Sequence, residues 1–336
     1  MDNRYQDKAR GMLLGLAIGD ALGAPVEFIP SPSDYYIAEM GDKIAHFHKN
    51  SRLPEGVWTD NTSMALCIAD SLHEMEGYDS YDIMNRFNEW AYYGYRKHPQ
   101  APMDIGNQTL RALDEYEKNP IITKDAPKTE SAGNGPIMRL APIIIANTDI
   151  TLALEMAVLS CRETHNSLTA EMTTALFATM LYDALHGASK DEIVSNCSRW
   201  ITNEGYKEEY LDKSKDLINR ALDANGARLR DLGGYIVDTF AIALWGLIHY
   251  DNFKDGMLAV IRLGGDTDTN AACYGQLAGA YYGYEAIPEE WRKGVYLSDE
   301  LVEIADNLLK MPSCPIIRSR FEDDKYFKKN GAANEI

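Results

Sequence analysis

Five cysteines in 336 residues, with no CxxC pair among Cys67, Cys161, Cys197, Cys273 and Cys314, offer neither a disulfide framework nor a zinc knuckle. A cytoplasmic, reducing compartment is the setting such scattered thiols suggest. Basic residues are also scarce: 33 Lys and Arg stand against 51 Asp and Glu, a formal charge of −18. That charge repels nucleic-acid phosphate and anionic lipid over most of the surface, so neither is an expected partner. No uninterrupted apolar run reaches the roughly 18 residues of a membrane-spanning helix. The start, Met1-Asp2-Asn3-Arg4-Tyr5-Gln6-Asp7, has no cationic segment leading into an apolar core. A soluble chain is therefore expected. Internal repeats, low-complexity tracts and sustained period-two alternation are absent as well, which removes solenoids and sheet-rich folds. No motif speaks to oligomeric state.

What the chain does have is apolar residues at helical spacing. With 45% hydrophobic and 25% charged residues it can bury a sizeable core. Ala9, Leu13 and Ala17 follow i, i+4, i+8 with Met12 and Leu16 beside them, which predicts a helix with a broad buried face. A turn is expected over Gly19 to Phe28, where glycines, Pro25 and the acids Asp20 and Glu27 fall close together. Helical spacing returns at Met64, Ile68 and Leu72, directly after the capping residue types of Thr59-Asp60-Asn61-Thr62-Ser63. Further amphipathic stretches run over 80–97, 105–118, 151–162, 168–187, 235–250 and 270–283, with long loops expected at 29–57 and 119–135. The expected architecture is all-α: one compact multi-helix domain over 1–312, followed by a polar C-terminal tail over 313–336.

Two short acidic motifs stand out from this helical background. Leu263-Gly264-Gly265-Asp266-Thr267-Asp268-Thr269-Asn270 sets two carboxylates two residues apart, after a double glycine and before an Ala-rich helix. One aspartate at a helix start is an ordinary cap that offsets the macrodipole. Capping gives no reason for a second acid, two threonines and two glycines. At a helix entrance both acids can aim at one point, and oxygen-only ligands suit magnesium, manganese or calcium rather than zinc. An EF-hand starting at Asp266 would need Gly at 271 and Glu at 277, where the chain has Ala271 and Leu277. The second motif, Thr59-Asp60-Asn61, also sits at a helix entrance, and the two together predict a metal centre.

Together with the segments between them, these motifs resemble the ADP-ribosylglycohydrolase family, close to the bacterial hydrolases that act on ADP-ribosylated dinitrogenase reductase. The resemblance runs from about residue 8 to 310 through seven ordered blocks. They are Gly11 to Phe28, Trp58 to Leu66, Asp104-Ile105-Gly106-Asn107, Gly133 to Arg139, Thr164-His165, the Gly-Gly-Asp-Thr-Asp-Thr block, and Gly275 to Gly283. The resemblance implies an all-α fold holding two Mg2+ (or Mn2+) ions. It implies that Thr59, Asp60, Asn61, Asp266, Asp268 and Thr269 are ligands, with Glu27 at the second metal or gating it. Glu27, Asp104 and Asp60 are the implied catalytic carboxylates. Asn107, Gly133, Asn134, Gly135, Ile137, Met138, His165 and Tyr235 are the implied substrate contacts, with the glycine loop as an anion nest for the diphosphate. The implied activity is metal-dependent removal of ADP-ribose from an ADP-ribosylated protein, arginine first, or from an ADP-ribose-containing small molecule.

Two residues depart from the family pattern. Asn61 stands where the family has a second aspartate, and its amide oxygen can bind a hard cation but brings no charge. Pro136 removes one N–H from the expected phosphate nest. The readings left open are an active natural variant, an attenuated or inactivated enzyme, and an ADP-ribose-binding homologue without turnover. A metal-dependent phosphohydrolase of small phosphate esters would share the acidic centre but would not need the Glu27 block or the 133–139 loop.

Overall fold

The apolar segment near the start of the chain forms α1 (Asn3–Gly23), which is buried on every side from Gly11 to Gly23. A computed structural model describes residues 3–29, 53–124, 131–197, 219, 226–311 and 314–325. After α1 come a 3-10 turn (Ala24–Val26), α2 (Asp60–Met75), β1 (Tyr78–Asp79), α3 (Ser80–Tyr93), α4 (Asn107–Lys118) and α5 (Ala141–Ile145). The chain continues through α6 (Ile150–Thr164), α7 (Leu168–Leu185), α8 (Lys190–Cys197), α9 (Ile236–His249) and α10 (Phe253–Ile261). It ends in α11 (Thr267–Tyr282), α12 (Glu289–Gly294), α13 (Ser298–Lys310) and β2 (Ile316–Arg318). The all-α expectation holds, with one small parallel pair of strands that sets Tyr78 opposite Ile316.

Each helical stretch read from the sequence is present, and five further helices appear among the described residues. Of those, α5, α8 and α12 are 5, 8 and 6 residues long, too short for periodicity to speak. By contrast α13 buries Leu301, Ala305 and Leu309 at i, i+4, i+8, so its signal was in the sequence. Within the expected long loops, residues 30–52 and 125–130 lie outside the described residues, as do 326–336 of the expected tail.

The centre of the fold is the antiparallel pairing of α1 with α11. Gly11, Gly15, Gly19 and Gly23 form one stripe of α1, each costing the helix about 1 kcal/mol relative to alanine. What offsets that cost is approach: a Cβ at Gly15 would lie 2.2 Å from the Gly275 carbonyl oxygen, and one at Gly19 2.0 Å from that of Ala271. From the other side, a Cβ at Gly275 or Gly279 would meet the carbonyls of Gly15 and Gly11 at 2.0 and 1.9 Å. The two backbones are thus in direct contact, with α9 and α10 packed against α11 and α13 against α1. Arg10 holds α13 by a two-point ion pair to Asp306 at 2.8 and 2.7 Å. By length and composition, Asn3–Val26 would be long and apolar enough to cross a membrane, which the sequence reading did not anticipate. Here 83% of its apolar window is buried inside the fold.

Residues 314–325, placed by sequence in the polar tail, pack against the helices. Cys314 and Phe321 are fully buried, and Arg320 pairs with the buried Glu163 and donates to its backbone carbonyl at 2.9 Å.

Candidate active site

Backbone contacts at the ends of α1 and α11 bring the acidic motifs together. Gly23 lies against Thr267 and Asp268, and the Thr267 hydroxyl donates to the Gly23 carbonyl at 2.8 Å. Four residues on from Gly23, the 3-10 turn presents Glu27, and the N–H of Phe28 donates to the Gly265 carbonyl at 2.7 Å. Gly264 and Gly265 both take φ values near the left-handed region, +77° and +74°. A side chain at Gly265 would also strike the Leu232 carbonyl at 2.0 Å. The double glycine is therefore the turn that aims Asp266 and Asp268 toward Glu27. One oxygen from each of these three carboxylates falls within 4.8 Å of the others, a set able to hold a metal ion.

The entrance of α2 completes the cluster from beneath. Thr59 Oγ1 lies 3.1 Å from Asp268 Oδ2 and 3.4 Å from Asp60 Oδ1. The Asn61 amide donates to Thr59 Oγ1 at 2.9 Å and reaches Asp268 Oδ2 at 3.4 Å. Burial first, then the neighbouring charges of Asp104, Asp20, Asp266 and Glu27, push the Asp60 carboxyl well above the usual carboxylate range. Asp268 rises likewise through burial, Asp266, Glu27 and Asp20. So many like charges in one place ask for a cation. The donors suit a hard one, being all oxygen, and the buried Asn61 Oδ1 makes no hydrogen bond among the described residues.

Above the cluster lies a pocket of about 380 Å³. Of the residues singled out by sequence, Glu27, Asp60, Asp104, Asn107, Gly133, Asn134, Gly135, Met138, His165, Asp266, Asp268 and Thr269 line it. Thr59 and Asn61 sit below it, buried. Ile137 is wholly in the core; its carbonyl accepts from Gln276 at 2.8 Å. Tyr235 is 45% exposed at the start of α9, and its neighbour Gly234 forms the wall. Gln108, Thr109 and Phe28 also line the pocket and were not singled out. Asp20, also missed, is fully buried beneath Thr59. Its signal was present: an acid on an otherwise apolar buried helix is rarely without a specific partner.

The upper wall is built around two polar side chains. The Asn134 amide donates to Asp266 Oδ2 at 2.8 Å and to Thr239 Oγ1 at 3.0 Å, while its backbone N–H is committed to the Gly234 carbonyl at 3.0 Å. His165 packs under the glycine loop, where a Cβ at Gly133 or Gly135 would meet the ring at 2.9 or 3.0 Å. Arg139 donates to Thr164 Oγ1, which lies 2.8 Å from His165 Nδ1. Arg139 fills one acceptor site of that oxygen, and its contact with Nδ1 sets the ring so that Nε2 lies beside the loop, the tautomer deciding which nitrogen carries the proton. Burial and then the Arg139 charge push His165 down to about 3, so the ring is neutral at physiological pH. We expect its NMR signals not to titrate between about pH 5 and 8, where an ordinary histidine would. Because the folded pKa lies below the unfolded one, His165 should also lower stability as pH falls from about 6.5 toward 3. A titration midpoint near 6.5 in the folded protein would contradict this environment.

The chain is similar to known proteins over most of its length. The ADP-ribosylglycohydrolase family model matches residues 1–315. An ADP-ribosylarginine hydrolase, Tri1, of Pseudomonas putida (strain GB-1) is 35% identical over 309 residues, covering 90% of this chain and 78% of that protein. An ADP-ribosyl-(dinitrogen reductase) glycohydrolase of Rhodospirillum rubrum is 31% identical over 294 residues, 85% of this chain and 89% of that one. A solved structure titled ADP-ribosylglycohydrolase-related protein complex superposes with a TM-score of 0.71 at 33% identity, covering 92% of this chain and 99% of that one. Matched by the family model over residues 1–315, the chain belongs to the ADP-ribosylglycohydrolase family.

Proposed function

We propose that the protein hydrolyses the N-glycosidic bond between ADP-ribose and arginine in modified proteins, with two magnesium or manganese ions held by Glu27, Thr59, Asp60, Asn61, Asp266, Asp268 and Thr269. The observation that carries this reading is the convergence of Glu27, Asp266 and Asp268 within 4.8 Å at the floor of a pocket with neutral donors above it. The name of the Pseudomonas relative supports arginine as the acceptor. Cations bound there would fix the ribose hydroxyls and offset charge changes as the C–N bond breaks. The chain's own part is proton handling and orientation. Glu27 and Asp104 face the pocket as carboxylates placed to take a proton from water, and Asp60 lines the same pocket. Pro136 has no N–H and that of Asn134 is already bonded, so diphosphate contacts at this loop fall to Gly133, Gly135 and the His165 ring. A cytosolic location is part of the proposal, since all five cysteines are free and buried.

Removal of metal by chelation is expected to stop release of ADP-ribose from an ADP-ribosylarginine protein, and Mg2+ or Mn2+ to restore it. Release that continues unchanged after metal removal would sink the mechanism. Hydrolysis of a plain phosphomonoester, with none of the ADP-ribosyl protein, would favour the phosphohydrolase reading instead.

A second reading, an attenuated or binding-only homologue, is favoured by one contact: the Asn61 amide donates toward Asp268 where a carboxylate would repel it. Asn61→Asp is accordingly expected to tighten Mn2+ binding by roughly tenfold (~1.4 kcal/mol) in calorimetric titration. Superimposable titration curves would remove Asn61 from the ligand set, and tight ADP-ribose binding without release would establish the binding-only reading.

A further inference from the structure

We infer that Asp20 is the residue that positions Thr59 as a ligand, by accepting the hydrogen bond from its hydroxyl and thereby turning the oxygen's lone pairs toward the cation site. This inference rests on the metal-dependent reading above. The helix α2 begins without a local side-chain cap, since Thr59 makes no capping bond of its own. Asp20 supplies the cap instead, from 39 residues earlier in the chain and from the buried side of α1. Its Oδ1 accepts from the Thr59 N–H at 3.0 Å and the Thr59 hydroxyl at 2.7 Å. Its Oδ2 accepts from the Thr62 N–H at 2.9 Å and the Thr62 hydroxyl at 2.7 Å. Four donors thus fall in two matched pairs on a carboxylate that is 0% exposed.

Each Asp20 oxygen accepts a backbone N–H, so each acts as an acceptor and fixes where the threonine hydroxyls point. Thr59 has one hydroxyl proton and three carboxylates within reach, Asp20 at 2.7 Å, Asp268 at 3.1 Å and Asp60 at 3.4 Å. The shortest contact takes it. The lone pairs of Oγ1 then face Asp268 and Asn61, and one of them already accepts from the Asn61 amide at 2.9 Å. An alcohol oxygen that must offer a lone pair to a cation needs its proton drawn elsewhere. The arrangement parallels a carboxylate that orients a metal-bound histidine from behind. Capping alone would require the two N–H contacts, and the Thr59 hydroxyl contact is the part that serves the metal.

The test is calorimetric Mn2+ binding to the metal-stripped full chain. Asp20→Asn and Thr59→Val are each expected to weaken Mn2+ binding by about tenfold or more, and the double variant no further than Thr59→Val alone. Thr62→Val, which removes a hydroxyl contact of equal length on the other Asp20 oxygen, is expected to leave affinity within about twofold. Multiplying effects in the double variant, or a Thr62→Val loss equal to that of Asp20→Asn, would reduce Asp20 to a helix cap and overturn the inference. Failure of the wild-type chain to bind Mn2+ would instead sink the metal-dependent reading and this inference with it. If Asp20→Asn does not fold, the wild-type protein still decides by NMR of labelled threonine. A slowly exchanging Thr59 hydroxyl proton should persist when Mg2+ is added, and its loss would overturn the inference.

Discussion

Asp268→Asn is expected to lose ADP-ribose release by roughly a thousandfold or more (~4 kcal/mol), while its metal-free form melts at a higher temperature than the wild type. The two effects have one cause. Asp268 sits with Asp266 and Glu27 within 4.8 Å, and removing one charge relieves repulsion that a cation or a bound proton otherwise relieves. The amide keeps the side chain's shape and can still accept from the Thr269 N–H that now bonds Oδ1 at 2.7 Å. The pH dependence follows from the direction of the shift. Because burial and its neighbours raise the folded Asp268 pKa, the metal-free folded state binds its proton more tightly than the unfolded chain does. Wild-type stability without metal therefore falls as pH rises from the ordinary carboxylate range through the raised pKa, and the variant's advantage widens over that interval. Metal should cancel the difference. Turnover assays with paired thermal melts check both halves, and a variant that is inactive but less stable when metal-free would mean Asp268 serves the fold rather than the cation.

Gly19→Val is expected to leave little folded protein, and even Gly19→Ala to cost about 2–4 kcal/mol, near the upper end for overpacked sites. The contact is backbone against backbone: the first added carbon would sit 2.0 Å from the Ala271 carbonyl oxygen. No rotamer change can relieve that, so α1 and α11 must separate. Because Asp266 and Asp268 ride on the first turn of α11, activity in the Ala variant should fall further than its unfolded fraction explains. Gly233→Ala is the matched control, since nothing lies within 4 Å of a Cβ there, and it should shift stability by less than about 0.5 kcal/mol. Equal denaturation midpoints for Gly19→Ala and Gly233→Ala would show that the helix pair has slack.

Much of this molecule could be read without coordinates, and the reasons differ by residue. The acidic motifs were legible because capping cannot account for two acids, two threonines and a double glycine in one short run. Long helices were legible through periodicity, and α5, α8 and α12 were not because so few turns carry no period. Asn134 shows what a residue type cannot convey. An asparagine between glycines suggests a turn or a phosphate contact, whereas its amide here also orients Asp266 at 2.8 Å. Asp20 was written in the sequence as an acid among apolar residues, but its partners lie 39 and 42 positions away, beyond any local pattern. The docking of 314–325 was hidden for a related reason. Its polar residues look solvated until Glu163 appears opposite Arg320.

The pairing of α1 with α11 also sets an order of events during synthesis. The α1 segment is apolar enough to resemble a membrane span, and its partner is made roughly 250 residues later. At ~5–20 residues per second, that leaves α1 without its main contact surface for roughly 12–50 s on the ribosome. A helix so rich in Ala, Leu and Gly must be shielded over that interval by early neighbours such as α2 and α7 or by chaperones. The close fit that places the acidic centre thus leaves α1 waiting through most of synthesis for its partner.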